Sequence, residues 1–335
     1  MKRTLSLCCL CTLILCIATL GACARPIGYR ADSTPHVLTY LAVGFDEAAA
    51  NTDVMLLVSL NTEEGTASAV QLPRDTYVRT GYAQNKINQI YAGARAAGKS
   101  PTEAIGELRE TVEHVLGCPI DGAVGITLST LGQTVDRLGG VRITLPEPIS
   151  LDTGDEGETP MTLTAGEHVL DGATACRLVR HRKGYASGDL GRMDAQKLFL
   201  CALLRTLRER VGLTELVSLC DMLRGELILD QSPLSLVATA INQYPTLARA
   251  TLRLATLPGE AVTSETGLSY YAVNRAATAA LLRATFGIGE VSVDPDGQLL
   301  KAGDTAFENI YYDKGFSYRV YTEEDVGDIH IPRIP

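Results

Sequence analysis

The stretches HVLTYLAVGFD, residues 36–46, and VMLLVSL, residues 54–60, decide the class of fold. The first is rich in the apolar residues of a β-strand. The second is almost continuously apolar, which is typical of a strand buried on both faces. Strands that are consecutive in the chain usually lie side by side, so we predict that these two are neighbours in one sheet.

The segments that follow alternate between strand and helix. A third strand over 66–72 meets Pro73, which ends the ladder of hydrogen bonds. Ser100, Pro101 and Glu103 form the capping box of a helix whose apolar residues share one face. This alternation predicts an α/β layered domain. The other predicted elements are strands over 123–126, 141–145 and 251–257, and helices over 128–138, 191–210, 213–223, 234–244 and 274–286.

The N-terminus has the features of a secretory signal sequence. Lys2 and Arg3 precede an uncharged, mostly apolar run from Thr4 to Leu20, as in a signal sequence. Small residues then stand directly before Cys23, which resembles a lipobox that ends in a lipid-modified cysteine. An uncleaved signal anchor is the alternative, because this run is just long enough to span a bilayer. Both alternatives place the remainder outside the cytoplasm, at the extracytoplasmic face of the bacterial cell membrane.

The composition excludes one class of function. The chain has 335 residues and a formal net charge of −9. Duplex nucleic acids require clustered lysines and arginines, so we expect no nucleic-acid partner. Five of the nine cysteines lie in the first 23 residues, and the other four show no CxxC spacing. We predict these four as small buried side chains, with a disulfide as the alternative.

Arginines in apolar surroundings are the first candidates for a site, since the common hydrolase, zinc and nucleotide motifs are absent. In CRLVRHRKG, residues 176–184, an extended backbone would put Arg180 and Arg182 on one face. Two adjacent guanidinium groups need an anion. In the next predicted helix, Arg192 lies one turn before Gln196 on an otherwise apolar stripe. Both must pair with protein carboxylates or bind the oxygens of a ligand.

Acidic and basic residues also gather at the ends of the predicted strands. Asp46 ends the first strand and Asp53 begins the second, so both carboxylates can reach one edge of the sheet, as Mg²⁺ ligands or as turn caps. Arg74 and Asp75 follow the third strand, and Lys86 lies a little further on. Ligands of open α/β sheets bind at such strand ends.

The order of these motifs resembles the LytR-CpsA-Psr family of Gram-positive cell envelopes, over about residues 38–210, and the helical region to about residue 286 is similar. The motifs are GFD (44–46), NTD (51–53), LPRDTYV (72–78), KIN (86–88), DRLGGV (136–141), LDG (170–172), RHR (180–182) and GDLGRMDAQ (188–196).

The resemblance implies a central mixed β-sheet flanked by helices, in α/β/α layers, with an apolar tunnel for a polyprenyl tail. It implies a phosphotransferase that moves an anionic glycopolymer, such as teichoic acid or capsular polysaccharide, from undecaprenyl diphosphate to peptidoglycan and releases polyprenyl phosphate. The expected partners are the lipid-linked glycopolymer, peptidoglycan and the membrane.

The same resemblance assigns roles by position. The diphosphate would be bound by a set of cationic and amide side chains: Arg74, Lys86, Arg180, Arg182, Arg192 and Gln196. Asp46 and Asp53 would hold the cofactor Mg²⁺. The catalytic candidates are Arg74, Arg182 and Asp75, and Asp75 is a structural partner of Arg74 or a base.

Three arginines that are usual in the family are absent here, because Ala48, Asn51 and Ala195 stand in their places. We expect Ala195 to lie close to the ligand. The losses leave a second hypothesis open: a binding module that keeps the polyprenyl diphosphate site with weak catalysis. A transcriptional regulator fits poorly with a signal sequence and an acidic chain.

The sequence divides into four parts. Residues 1–23 are the signal peptide or lipoprotein signal, residues 24–36 a tether, residues 37–289 the LytR-CpsA-Psr domain, and residues 290–335 a loosely attached C-terminal tail.

Overall fold

The computed structural model describes residues 37–46, 52–82, 84–151, 159–181, 185, 189–212, 214–217, 223, 225–301, 306–308 and 318–325. The signal sequence with Cys23, the tether, and positions 48, 51 and 182 lie outside these residues. Within the described part of the chain, no helix combines the length and apolar character needed to cross a membrane.

The strands, in chain order, are β1 (Val37–Phe45), β2 (Thr52–Asn61), β3 (Thr66–Gln71), β4 (Gly122–Thr127), β5 (Val141–Leu145), β6 (Ile149–Leu151), β7 (Met161–Leu163), β8 (Gly166–Leu170), β9 (Ile228–Leu229), β10 (Thr251–Thr256), β11 (Gly259–Ser264), β12 (Ser269–Val273), β13 (Phe307–Glu308) and β14 (Tyr321–Thr322). The helices are α1 (Gln89–Ala96), α2 (Pro101–Leu116), α3 (Leu128–Arg137), α4 (Gly172–Arg180), α5 (Asp189–Arg210), α6 (Pro233–Leu247) and α7 (Arg275–Phe286).

A seven-stranded mixed sheet forms the centre, in the order β14-β10-β3-β2-β1-β4-β9. β1 pairs with β4 in parallel and with β2 in antiparallel register, and β3 pairs with β2 antiparallel and with β10 parallel. The carboxyl ends of β1, β3, β4 and β10 therefore meet at one edge, together with the start of β2. The predicted mixed sheet is confirmed.

The central strands are buried on both faces because their side chains alternate between two apolar cores. In β1, Tyr40 and Ala42 belong to one core, and Leu41 and Val43 to the other. The first core continues into α3, α4 and α5, and the second into α1, α2 and α7. The sheet thus lies between two layers of helices, as expected.

The capping box of α2 forms as predicted. The Ser100 hydroxyl accepts a hydrogen bond from the Glu103 N–H at 3.2 Å, and the Glu103 carboxylate accepts one from the Ser100 N–H at 2.8 Å. At the other end, Gly117 adopts a left-handed φ of 63°. The two ends of this helix were therefore readable from the sequence.

The extended backbone on which the alignment of Arg180 with Arg182 depends is not found up to Arg180. Residues 172–180 form α4, whose N-cap Asp171 accepts a hydrogen bond from the Thr174 N–H at 2.8 Å. Ala175, Leu178 and Val179 are buried at the 3-and-4 spacing of a helix. Arg180 is the last residue of α4, so the period-two argument that aligned it with Arg182 does not hold.

The tail after Gly289 is held more firmly than the sequence indicated. Val291, Leu299 and Leu300 are buried against the domain, and Asp294 accepts hydrogen bonds from Arg275 of α7. β14 adds an antiparallel edge strand to the central sheet, and β13 pairs with β11 in a three-stranded sheet. The described parts of the tail are therefore attached to the fold through buried side chains and strand pairing. The boundary at residue 289 stays a prediction.

Candidate functional site

The candidate site lies at the edge of the sheet where β2 begins and β3 ends. Asp53 is the second residue of β2, and Arg74 follows β3 by three residues. The N-terminal part of α5 reaches the same edge and brings Arg192 and Gln196. The partial positive charge of a helix N-terminus favours an anion at this position.

Two arginines converge on Asp53. The Arg74 guanidinium donates to the Asp53 carboxylate at 2.8 Å. The Arg192 guanidinium donates to the Asp53 carbonyl oxygen at 3.4 Å, and Arg192 is only 2% exposed. The fork of a guanidinium matches the oxygens of phosphate as well as those of a carboxylate. The Asp53 carboxylate thus pairs with Arg74 in the way that the oxygens of an anionic ligand would.

Two buried glutamines connect α5 to the sheet and to α4. The Gln71 amide of β3 donates to the Gln196 side-chain oxygen at 3.3 Å and to the Met193 carbonyl at 3.0 Å. The Gln196 amide donates to the Val179 carbonyl at 2.9 Å. Arg180 follows Val179 directly, so this hydrogen bond fixes the end of α4 that carries the arginine.

Asp75 and Lys86 form an ion pair beside Arg74. The Lys86 ammonium lies 2.9 Å from one Asp75 carboxylate oxygen, and the Arg74 Nε lies 3.8 Å from the other. A bridge between Tyr77 and Lys86 brings this part of the chain back to Asp75. Asp75 therefore has the contacts of a structural partner for two cations, one of the two roles that the resemblance leaves open for it.

The pocket at this edge is small. It is lined by side chains from β2, from the end of β3 and the segment after it, and from α5: Asp53, Val54, Met55, Gln71, Leu72, Arg74, Arg192, Met193 and Gln196. Its volume of about 10 Å³ is close to that of a site for one water molecule. The Arg74–Asp53 ion pair forms part of its lining. The apolar tunnel for a polyprenyl tail stays a prediction.

The structure brings together four of the predicted site residues around the pocket: Asp53, Arg74, Arg192 and Gln196. Asp75 and Lys86 lie next to Arg74, and Arg180 lies next to the carbonyl that Gln196 contacts. Asp46 follows the last residue of β1, at the same end of the sheet as Asp53. Arg182 and Cys23 lie outside the described residues.

Ala195 does not face this pocket, contrary to our expectation. It is 0% exposed and belongs to the core that contains Leu198 and Phe199. An arginine at this position would have to enter that core. Lys197, two residues further on, is also directed elsewhere, because its ammonium lies 2.6 Å from Asp194 and 5.6 Å from the Tyr321 ring.

Sequence reasoning missed Gln71 as a site residue. It is 3% exposed, lines the pocket and hydrogen-bonds to Gln196. The signal was a long polar side chain at the end of an apolar strand, immediately before the LPRD motif. Its partner lies 125 residues away in the chain, so no local pattern revealed the contact.

The metal-binding capacity of the site rests on carboxylates. Among the described residues, no three His, Cys, Asp or Glu side chains come together as ligands. Mg²⁺ commonly uses one or two carboxylates and takes its other ligands from water and substrate phosphates. Asp53, with Asp46 at the same end of the sheet, fits this smaller requirement.

Comparison with known families decides the relationship. The model of the LytR_cpsA_psr family matches residues 29–286, which is most of the chain. The chain belongs to the LytR-CpsA-Psr family. This confirms the resemblance that the eight motifs carry, and the matched range includes every predicted site residue except Cys23.

The sequence relatives are cell-wall proteins. The chain is 25% identical to the cell wall biosynthesis protein LcpA of Corynebacterium glutamicum over 76% of its own length, and it spans about half, 51%, of LcpA. It is 27% identical to the polyisoprenyl-teichoic acid–peptidoglycan teichoic acid transferase TagU of Oceanobacillus iheyensis, covering 70% of each protein.

Solved structures of LytR-CpsA-Psr proteins share the fold. A Streptococcus agalactiae protein matches with a TM-score of 0.67 at 19% identity, covering 80% of this chain and 94% of that one. TagT bound to LI-WTA matches with a TM-score of 0.61 at 24% identity, covering 77% and 95%. At these identities the likeness establishes the architecture.

Proposed function

We propose that this protein transfers an anionic glycopolymer from a polyprenyl diphosphate carrier, of the undecaprenyl type, to peptidoglycan. One observation carries the proposal most directly: Arg74 and the buried Arg192 meet at Asp53, at the N-terminal part of α5. This arrangement offers two guanidinium groups and a helix N-terminus to one anion. The names of LcpA and TagU point to the same process in the cell wall.

Substrate binding would replace the internal ion pair. The phosphate oxygens of the carrier would take the place of the Asp53 carboxylate at Arg74, while Arg192 and Gln196 hold the opposite side. The exchange conserves charge-assisted hydrogen bonds, so the free-energy cost of opening the Arg74–Asp53 pair is largely offset. Lys86 would keep Asp75, and with it the Arg74 backbone, in place.

The reaction is a phosphoryl transfer. An acceptor hydroxyl of peptidoglycan would attack the phosphorus next to the glycopolymer, a new P–O bond would form, and the bond to the bridging oxygen would break. Polyprenyl phosphate leaves with that oxygen and its electron pair, and the hydroxyl proton passes to a nearby base. Asp75 or solvent is the candidate acceptor of this proton. The arginines would stabilise the charge that develops on the phosphate oxygens.

Mg²⁺ is the proposed cofactor. Asp53, once it is released from Arg74, and Asp46 would hold it, and the ion would neutralise charge on the diphosphate oxygens. This role would make the carboxylate of Asp53 useful in both states of the site: as the partner of Arg74 without substrate, and as a metal ligand with it.

The proposed location is the extracytoplasmic face of the bacterial cell membrane. The carrier is a membrane lipid, so a domain that binds its diphosphate must work at the bilayer surface. The signal sequence and a lipid anchor at Cys23 would supply this position. The uncleaved signal anchor remains the alternative.

A transfer assay tests the proposal. The purified chain is incubated with a short-chain polyprenyl diphosphate that carries a labelled glycopolymer fragment, with Mg²⁺ and peptidoglycan. We expect label in the insoluble peptidoglycan and stoichiometric release of polyprenyl phosphate. Replacing Arg192 with Gln should lower the rate by about a hundredfold, because a buried charge-assisted contact to the phosphate is lost. Arg205→Gln, on an exposed part of the same helix, is the matched control.

The binding-module hypothesis predicts a different result in the same experiment. The absence of the three family arginines favours it. Retention of the lipid-linked donor on the protein without transfer of label would support the module and contradict the enzyme. If the assay shows neither transfer of label nor retention of the donor, both hypotheses are contradicted.

A further inference from the structure

Gln71 is a buried polar side chain to which the proposed mechanism gives no role. It is the last residue of β3 and lies on the same face of the sheet as Ala67 and Ala69, toward the core that contains α5. Its backbone pairs with β2 on one side and with β10 on the other. Only 3% of the residue is exposed. A long amide side chain therefore starts from a rigid position in the sheet and reaches α5.

Every polar atom of the Gln71 side chain has a partner. Its amide nitrogen donates to the Met193 carbonyl at 3.0 Å and to the Gln196 side-chain oxygen at 3.3 Å. Its side-chain oxygen accepts from the Thr256 hydroxyl at 3.4 Å. Gln71 thus connects β10 to α5, and both of its amide hydrogens are donated to α5.

Backbone carbonyls fix the direction of this network. The Met193 carbonyl can only accept, so the Gln71 nitrogen must face α5. The Gln196 nitrogen must likewise face the Val179 carbonyl, to which it donates at 2.9 Å. The Gln196 oxygen is then the atom that accepts from Gln71. Each amide therefore has one favourable orientation, although a free amide would adopt two.

Two features of the diphosphate site depend on these bonds. The Met193 carbonyl belongs to the turn of α5 that carries Arg192, so Gln71 holds this turn against β3. A reversed Gln196 amide would turn its nitrogen toward the Gln71 nitrogen and its oxygen toward the Val179 carbonyl, so Gln71 disfavours it. Because only an N–H group attracts a phosphate oxygen, a Gln196 amide that rotates freely would bind the diphosphate less well.

We propose that Gln71 is a positioning residue of the diphosphate site. It does not bind the carrier itself, because both of its amide hydrogens are already donated to α5. It acts through Gln196, whose amide it holds in one orientation, and through the turn that carries Arg192. The inference rests on the proposed function for its ligand, but the orientation of Gln196 and the order of α5 are properties of the free protein.

A double-mutant cycle tests the coupling. A water-soluble polyprenyl diphosphate analogue is titrated, with Mg²⁺, against the purified full-length chain in detergent, as the parent, Gln71→Met, Gln196→Met and the double variant. Methionine keeps the length of the side chain without its hydrogen-bonding groups. We expect each single substitution to weaken binding about tenfold. The double variant should bind within about threefold of Gln196→Met, because Gln71 acts mainly through Gln196.

Ser68→Ala is the matched control. Ser68 is also buried in β3, but its hydroxyl donates to the Thr285 carbonyl of α7 at 2.7 Å, on the opposite face of the sheet. This variant should lose stability and keep its affinity for the analogue. Equal affinities of the parent and Gln71→Met overturn the proposal, and so does a loss of about a hundredfold in the double variant, which would mean that the two side chains act independently. Melting temperatures above the titration temperature exclude unfolding as the cause.

Hydrogen exchange separates a failure of this inference from a failure of the proposed function. If the parent does not bind the analogue, the proposed function fails, and the contacts of Gln71 are tested in the free protein. We expect Gln71→Met to raise the exchange rate of backbone amides in residues 189–200 about fivefold, and Ser68→Ala to leave it unchanged. Equal exchange rates in the parent and Gln71→Met would show that Gln71 does not hold α5, and would overturn the inference without any ligand.

Discussion

Asp53 is the residue that both arginines of the site contact. Its carboxylate accepts from Arg74 and its carbonyl accepts from Arg192, so one residue contacts arginines from two distant segments of the chain. The sequence predicted Asp53 as a metal ligand and both arginines as phosphate ligands. It could not predict that the acid would pair with one of these arginines, because the contact depends on how α5 packs against the start of β2.

Ala195 gives a prediction for a single position. Replacing it with Arg should lower the free energy of unfolding by about 3 kcal/mol, because the guanidinium would be forced into an apolar core. Urea denaturation measures the change. Ala97→Arg, at the exposed C-cap of α1, is the control and should stay within about 0.5 kcal/mol of the parent. A stable Ala195→Arg protein with tighter diphosphate binding would restore our original expectation that this position faces the ligand.

Lys197 gives a prediction about pH. Burial lowers its pKa from 10.5, and the attraction of Asp194 only partly opposes this effect. Between the lowered pKa and 10.5 the unfolded chain binds more protons than the folded chain, so the parent gains stability as pH rises through this window. Relative to Lys197→Met, the unfolding free energy of the parent should therefore increase from neutral pH towards pH 10.5. A difference that is constant over this range would show that burial does not disfavour the charged lysine.

At the scale of elements, the sequence predicted those strands and helices whose residues form a clear local pattern. The strands over 37–45 and 52–61 and the capped helix over 101–116 follow from apolar runs and a capping box. The short α4 was missed, although its Asp171 cap and the spacing of its buried residues were present. The spacing of Arg180 and Arg182 suggested the two-residue period of a strand. The buried apolar residues of α4 instead recur at the spacing of a helix.

The segment after α7 is held by a buried aspartate that no local sequence pattern predicted. The Asp294 side chain, 1% exposed, accepts hydrogen bonds from Arg275 at 2.8 Å and from the Leu299 N–H at 3.0 Å, at a left-handed φ of 58°. Asn tolerates this φ but carries no charge. We expect Asp294→Asn to lower the free energy of unfolding by about 2 kcal/mol and to speed proteolysis after residue 289.

The control for this prediction is the neighbouring acid. Asp296 contacts only the exposed His114 among its described partners, at 2.8 Å, so Asp296→Asn should change stability by less than about 1 kcal/mol. Equal effects of the two substitutions, or no change in proteolysis for Asp294→Asn, would contradict the idea that Asp294 anchors the tail.

At the scale of the whole molecule, topology explains why the site forms. Because β2 runs antiparallel between β1 and β3, its start lies beside the carboxyl ends of both neighbours. Asp46 after β1, Asp53 of β2, Arg74 after β3 and the N-terminal part of α5 therefore meet at one edge. The motif order identified the family and most of these residues. The closed pocket and the position of Gln71 depend on contacts between distant segments, which a single sequence does not specify.

The central claim is that Arg74 and Arg192 form a polyprenyl diphosphate site at this edge. A titration of a water-soluble polyprenyl diphosphate analogue tests it most directly, using the parent, Arg74→Gln, Arg192→Gln and the control Arg205→Gln, each with and without Mg²⁺. We predict that the parent and Arg205→Gln bind alike, that each site variant binds about ten- to a hundredfold more weakly, and that removing Mg²⁺ weakens the parent. Equal affinities of the parent and both site variants, with all proteins folded, would contradict the account.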